Sequence, residues 1–356
     1  MKHTPKQILN LFWQKPYLLV VLLLCATIYS CNNDDKSLPD VSDIKVTLNS
    51  RRLDLDLGKI DTAHIGPGLE KVAAAYPDFI SFYLDTLMGF GIHNNYSDTA
   101  IGVRQNLYTF LTHKDYRGVF DTVARHFPDV KKEDAAIEKG YQYMKYYFPD
   151  FKAPKVIYFV TGLRNWSAIT YGDDIVGVGL DMALGPKYPN YSRVDIPDYA
   201  SRNLLPEAIP VNVFRSLYSI KHPFMTENRT MLDMMIQRGK EQYFLSKVIP
   251  FVPDSLRLSF TGSQLAWCND NEAGIYNFFV KAQLLYDTNW QKILRYVTDG
   301  PNAAGMAPES PGNVGTWMGW QIVRAYMKQH PETTMDQLFA LQDAQALLQD
   351  AHYKPR

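Results

Sequence analysis

The sequence predicts an α+β fold that is mostly helical, with a small antiparallel sheet in the middle of the chain. Amphipathic helical patterns occupy most of residues 68–151 and return from residue 206 onward. Between them, three short runs rich in β-branched and aromatic residues are separated by turn residues. An apolar period near 3.6 residues indicates helices, and short β-rich runs bounded by turns indicate strands. We therefore expect helices, then a sheet, then helices again.

The first thirty residues are typical of a signal peptide. Lysines without acidic residues precede an apolar run at 17–29, which is too short to span a bilayer but suits a signal peptide. The run ends in Ile28-Tyr29-Ser30-Cys31, the pattern at which bacterial lipoproteins are cleaved and diacylglycerol is attached. The alternatives are an ordinary signal peptide with an incidental cysteine, or a short anchor helix. We expect cleavage before Cys31 and a membrane anchor through lipid on that residue.

The rest of the chain divides into three predicted parts. Residues 31–43 are poor in apolar residues and predict a flexible tether, because such a segment cannot bury enough surface to fold. Residues 44–153 predict a mainly helical part. Residues 154–352 predict the sheet with a helical core, and we expect both parts to form one compact unit. Only Cys268 remains once Cys25 and Cys31 are assigned, so no disulfide framework is expected.

The elements follow in order along the folded part. Ile44, Val46 and Leu48 alternate with polar residues, as do the leucines of segment 53–57, and this period of two predicts strands or extended segments. Proline at 149 ends the last of the early helices. The early helices are predicted at 100–112, 115–127 and 133–147. The strands are predicted at 156–160, 166–171 and 175–180, followed by a loop at 185–203. The later helices are predicted at 206–220, 231–248, 263–285, 290–297, 311–328 and 334–350.

Composition and motifs exclude several classes of function. The formal net charge is zero and no basic block interrupts the chain, so a nucleic-acid partner is not expected. No two histidines of the mature chain are three or four residues apart, and H-E-x-x-H and Cys-x-x-Cys motifs do not occur. The nucleophile elbow and the phosphate-binding glycine loop do not occur either. We therefore predict no metal, no cofactor and no catalytic residue. His222 precedes Pro223 at a predicted helix end, where a cation would suit the helix dipole.

Segment 309–324 has glycines at helical spacing, each of which costs a helix about 1 kcal/mol relative to alanine. A close contact should compensate this cost. One interpretation is tight packing between helices, with Trp317 and Trp320 buried beside it. The other is a bare helix face that lines a cleft. The candidate cleft residues of this segment are Gly312, Gly315, Gly319, Trp320, Gln321 and Arg324.

Several segments, taken in order, resemble the gliding motility lipoprotein family GldB. The resemblance covers nearly the whole mature chain. It implies an outer-membrane lipoprotein of Bacteroidota, needed for movement in gliding species and tied to the associated type IX secretion machinery. Relatives also occur in species that do not glide. The segments that carry the resemblance are 146–149, 168–171, 179–181, 188–189, 232–240, 267–272 and, most specifically, 309–326.

A more distant similarity is to zincin-type zinc peptidases. In such enzymes the helix after the sheet carries H-E-x-x-H, but segment 211–216 has no histidine or glutamate. Arg238 stands where the third metal ligand would lie, so the resemblance implies a zincin-like layout whose metal chemistry has been lost. The cleft would remain as a binding groove, with Arg215, Arg238 and Arg324 as candidate lining. We also expect Arg238 to lie close to the helix that begins near Pro206.

The sequence leaves more than one class of function open. The preferred hypothesis is a non-enzymatic, lipid-anchored envelope protein that binds other envelope, gliding or secretion components. The alternative is a peptidase-like envelope hydrolase with unrecognised catalytic residues. A glycan-binding lipoprotein is a third possibility, suggested by the 23 tyrosines and 6 tryptophans.

Overall fold

The computed structural model describes residues 38–164 and 166–356. The predicted signal peptide, the predicted lipidation site Cys31 and half of the predicted tether lie outside the described residues. The chain divides into a short N-terminal unit, Met1–Asp40, and a compact unit, Val41–Arg356, which contains everything described below. Val41 is already buried in the core of the compact unit.

The central sheet has four strands in the spatial order β1-β2-β4-β3. β1 pairs in parallel with β2, and β2 pairs in parallel with β4. Only β3 and β4 are antiparallel, in a hairpin in which Tyr171 lies opposite Ile175. The strands are β1 (Ser50–Arg52), β2 (Lys155–Phe159), β3 (Ala168–Tyr171) and β4 (Ile175–Gly179).

The α+β class and the small sheet in mid-chain are confirmed, but the expectation of an all-antiparallel sheet was wrong. Every residue of β4 is buried, and so are four of the five residues of β2. Strands covered on both faces are typical of parallel pairing inside a sheet, and these two strands pair with each other. β3 is displaced to the outer edge of β4. The glycines of β4 make tight contacts, because a side chain at Gly177 would lie 2.5 Å from the ring of Phe159.

Helices precede and follow the strands of the sheet along the chain. The early α-helices are α1 (Leu53–Gly58), α2 (Ile65–Ala75), α3 (Tyr108–Thr112), α4 (Lys114–His126) and α5 (Lys131–Tyr147), with π-helical turns at Phe82–Leu87 and Gly102–Leu107. The short middle helices are α6 (Asn190–Arg193) and α7 (Asp198–Ser201), inside the segment predicted as a loop. The later ones are α8 (Ile209–Lys221), α9 (Met231–Val248), α10 (Asp254–Arg257), α11 (Gly262–Asp270), α12 (Glu272–Lys281), α13 (Trp290–Ile293), α14 (Val314–Gln329), α15 (Met335–Ala340) and α16 (Ala344–Asp350).

The leucine repeat at residues 53–57 forms helix α1, so the strand predicted there was wrong. Leu53 and Leu57 are fully buried, whereas Leu55 is only half-buried. Residues four apart share one face of a helix, so this pattern also satisfies a helical period. Upstream, the side chains at 44, 46 and 48 are half-buried and alternate with exposed neighbours, as expected for an extended segment.

Three of the later helices begin at capping boxes. In α9 the hydroxyl of Thr230 accepts a hydrogen bond from the backbone of Asp233, whose carboxylate accepts one from the Thr230 backbone in return. Thr261 and Thr334 start α11 and α15 in the same way. Each box satisfies two backbone donors that a helix start leaves unpaired. In residues 38–164 and 166–356, no helix combines the length and apolar character that crossing a membrane requires.

Candidate functional site

Two arginines on neighbouring helices share one buried carboxylate. The Nε of Arg215, on α8, donates to Oε1 of Glu241 at 2.8 Å, and Nη1 of Arg238, on α9, donates to Oε2 at 2.9 Å. The side chain of Glu241 is 6% exposed, while those of Arg215 and Arg238 are 31% and 24% exposed. The expected proximity of Arg238 to the helix beginning near Pro206 is therefore present. Two guanidinium groups face one carboxylate, so positive charge is left over.

Arg238 is held by an aromatic ring as well as by Glu241. Its guanidinium carbon lies 3.9 Å from the centre of the Phe224 ring, an arrangement in which the ring's negative face attracts the cation. Its Nε is buried and has no hydrogen-bond partner. This side chain is consequently fixed in position while retaining unused donor capacity.

Arg257 links this pair to the tryptophan-rich helix α14. Its backbone carbonyl accepts from Nη2 of Arg215 at 2.9 Å, and its guanidinium lies 5.9 Å from the ring centre of Trp320. On the exposed side, the guanidinium of Arg324 lies 5.1 Å from the ring of Trp320 and donates to Gln321 at 3.1 Å. The structure thus brings together five of the predicted cleft residues: Arg215, Arg238, Trp320, Gln321 and Arg324.

Asp299 adds a carboxylate that the sequence analysis missed. It accepts a hydrogen bond from Asn313 at 3.3 Å. Desolvation by the surrounding protein raises its pKa, while Arg215, Arg238 and Arg202 act in the opposite direction. Asp299 therefore lies within electrostatic range of all three arginines. We call this surface the arginine face, and it consists of Arg202, Arg215, Arg238, Arg324, Glu241 and Asp299.

The three predicted cleft glycines do not line a cleft. A side chain at Gly319 would collide with the backbone carbonyl of Met235 on α9, and one at Gly315 would lie 2.7 Å from the carbonyl oxygen of Tyr296. At Gly312 it would lie 2.6 Å from the Cα of Gly300. Backbone from other segments fills all three positions. The glycines serve close packing, which was the other interpretation of this segment.

The first turns of α14 carry buried polar atoms without hydrogen-bond partners. The Oγ1 of Thr316 and the indole N–H groups of Trp317 and Trp320 are among them, as is Oδ1 of Asn313. Most buried polar groups in proteins are paired, so such a concentration is unusual. Sequence reasoning did not find Asn313 or Thr316, because orphaned atoms depend on tertiary packing.

Cys268 and His222 are two further residues of types that can carry catalysis. Cys268 is fully buried, and burial raises its pKa to about 12, which keeps it a thiol at neutral pH. His222 is the C-cap residue of α8, as expected. Burial followed by the nearby Lys240 lowers its pKa, which disfavours the cationic form, and the capping role stays a prediction. In the described part of the chain, no three His, Cys, Asp or Glu side chains are grouped to hold a metal. Cys31 lies outside that part.

A comparison with known protein families found a match that covers most of the chain. A family model described as gliding motility protein GldB matches residues 34–355, which include the entire arginine face. No curated protein and no solved structure matches the chain. The similarity to zinc peptidases stays a prediction.

Proposed function

The chain belongs to the GldB family of gliding motility proteins, and on this premise we propose that it is a lipid-anchored, non-catalytic envelope protein that acts by binding. It would support gliding motility, or the associated secretion machinery, at the outer membrane. Lipid on Cys31 would supply the anchor, and the polar segment behind it the tether. The arginine face would supply the binding surface for another envelope component.

The excess of positive charge on the arginine face carries this proposal. Three guanidinium groups there, those of Arg202, Arg215 and Arg238, face the carboxylates of Glu241 and Asp299, on a chain whose formal net charge is zero. Charge complementarity steers association and selects partners. The surface therefore suits an acidic patch on a partner protein.

The state of Glu241 supports a binding role over a catalytic one. A general base needs a carboxylate oxygen that is free to accept a proton from a substrate. Both oxygens of Glu241 are occupied by guanidinium donors, at 2.8 and 2.9 Å. Arg238, at the position where the distant resemblance would place a metal ligand, is one of those donors.

Replacement of the gene in the cells that produce the chain tests both parts of the proposal. Cys31→Ala should release the protein from the membrane fraction and abolish its cellular role. The double variant Arg202→Glu with Arg324→Glu should keep the protein anchored and folded, and reduce colony spreading or secretion. The matched control is Arg104→Glu with Arg193→Glu, which makes the same charge change at two exposed residues outside the arginine face.

Two results would contradict the proposal. A Cys31→Ala protein that stays membrane-bound and functional would remove the lipid anchor from it. Equal phenotypes for the arginine-face variant and its charge-matched control would show that the arginine face is not the binding surface.

A further inference from the structure

A cavity of about 230 Å³ lies between the end of α8, the middle of α9 and the segment around α15. Its apolar walls include the rings of Tyr218, Phe224 and Phe339. The first and last of these rings meet edge to face, with their centres 5.3 Å apart. The cavity borders the arginine face, because Glu241 lines it and its wall Phe224 stacks with Arg238. It is a second candidate site beside the proposed partner surface.

A buried lysine provides the polar end of the cavity. Lys240 is 7% exposed, and its ammonium group donates to the backbone carbonyl of Leu341. No ion pair joins it to a carboxylate in residues 38–164 or 166–356, and burial lowers its pKa to about 8. His222 lies in the same cavity between two aromatic rings, each centred 4.8 Å from it. The cavity thus contains a cation that has no counter-ion.

The two acidic residues that line the cavity are engaged elsewhere. Asp233 accepts hydrogen bonds from the backbone and hydroxyl of Thr230, at 2.9 and 2.7 Å. Glu241 is held by the two arginines of the arginine face. Asp336 raises the pKa of His222, but burial and Lys240 outweigh it. The charged or titratable residues that line the cavity, or that act on the pKa of His222 within it, are Lys221, His222, Arg229, Asp233, Lys240, Glu241 and Asp336.

We propose that this cavity binds a small organic carboxylate carried on a single aromatic ring. The carboxylate would pair with the ammonium of Lys240 and accept a hydrogen bond from the imidazole of His222. The ring would lie against the aromatic walls, beside the packed rings of Tyr218, His222 and Phe339. An apolar cavity of roughly 150 Å³ is enough to hold benzene, so the present one accommodates a ring with a carboxylate attached. A buried charge without a partner is costly, and an anion that pairs with it removes that cost.

The two parts of the cavity define the ligand class together. A neutral aromatic ligand would leave the ammonium of Lys240 uncompensated, and a cationic one would be repelled by it. A small anion without a ring, such as acetate, would leave the aromatic walls unfilled. Only the combination of ring and carboxylate uses both.

Calorimetric titration of the full chain in detergent tests this proposal, with phenylacetate as the probe. At pH 7 we expect a dissociation constant of about 1 mM or lower, which is ordinary for a ligand of this size. Phenylacetamide, which has the same shape without the charge, and acetate should each bind at least about tenfold more weakly. Equal binding of phenylacetamide, or no saturable heat from phenylacetate, would overturn the proposal.

Variants and pH separate recognition by Lys240 from general binding. Lys240→Met should lose at least about tenfold in affinity for phenylacetate, while Lys281→Met, at an exposed position outside the cavity, should bind like the unaltered chain. Raising the pH from 7 to 9.5 should weaken binding at least about tenfold, because the ammonium loses its proton above pH 8. The thermal unfolding midpoint of each variant reports whether it is folded. A folded Lys240→Met protein with full affinity would refute the assignment.

Discussion

Arg215 and Glu241 join helices α8 and α9 through a hydrogen bond of 2.8 Å between Nε and Oε1. Because Arg238 occupies the second carboxylate oxygen, this one buried acid orients two cations. The arrangement links a carboxylate in the protein interior to two guanidinium groups at the surface. The carboxylate is inside the protein, and the guanidinium groups that it holds extend to solvent.

Removal of the charge of Glu241 should destabilise the fold. In Glu241→Gln, two neighbouring guanidinium groups lose their shared counter-charge, and the amide cannot accept both hydrogen bonds with equal strength. We expect the free energy of unfolding to fall by about 2 kcal/mol, less than for a fully buried ion pair because both arginines are partly exposed. Urea denaturation measures this. The control Glu70→Gln, at an exposed position, should change stability by less than about 0.5 kcal/mol.

Alanine at Gly319 should disrupt the contact between α9 and α14. Its side chain would collide with the Met235 carbonyl, and backbone cannot move aside as a flexible side chain can. We expect a loss of at least about 3 kcal/mol. The control Gly274→Ala, also inside a helix but with nothing near the added carbon, should gain up to about 1 kcal/mol. Equal thermal midpoints for the two variants would contradict this account.

The glycine contacts show how far the sequence could predict this site. The spacing of Gly312, Gly315 and Gly319 correctly predicted a close contact along this segment. It did not identify the backbone segments that make the contact. Arg215 and Arg238 could be singled out by position. Their partner Glu241 was missed, although it stands three residues after Arg238, where side chains on a helix meet. Asp299 belongs to a loop whose neighbours are set only by tertiary packing.

Replacement of Lys240 by methionine should stabilise the protein at neutral pH. The folded-state pKa of about 8 lies below the ordinary lysine value of 10.5, so the unfolded chain binds the proton more tightly. The stability of the unaltered chain therefore rises as pH increases from about 8 towards 10.5, and the burial cost is fully present at pH 7. We expect Lys240→Met to gain about 2 kcal/mol at pH 7, after the loss of one hydrogen bond. Denaturation at pH 7 and pH 10 checks the sign, since the gain should shrink at the higher pH.

The thiol of Cys268 should be inert in the folded protein. In a chain with Cys25 and Cys31 replaced by alanine, Cys268 is the remaining thiol. Because it is fully buried with a pKa of about 12, we expect its reaction with a maleimide at pH 8 to be at least about 100-fold slower than that of a Ser263→Cys thiol. Unfolding in urea should remove the difference. Rapid labelling in native buffer would show that the α11 region opens readily.

The wrong predictions of a strand at 53–57 and of an all-antiparallel sheet have physical causes that can be traced to individual residues. Leu53 and Leu57 satisfy both a period of two and a spacing of four, so the short segment was ambiguous between strand and helix. Strand β4 is glycine-containing and wholly apolar, and such a run does not specify the direction of its neighbour. The hairpin of β3 and β4 was predictable because a turn joins them directly. The pairing of β1 with β2, over a hundred residues apart, was not.

The extended N-terminal segment of the compact unit has a mechanical consequence. For a protein held by its N-terminus, any pulling force enters the fold through residues 41–52. That force meets, in turn, the buried side chain of Val41, the hydrogen bond from Gln142 to the Ile44 carbonyl, and the bond from Ser50 to Asp134. The parallel pairing of β1 with β2 follows. Tension would therefore be borne by several attachments in series, and the first of them to yield would lengthen the segment between the anchor and the remaining fold.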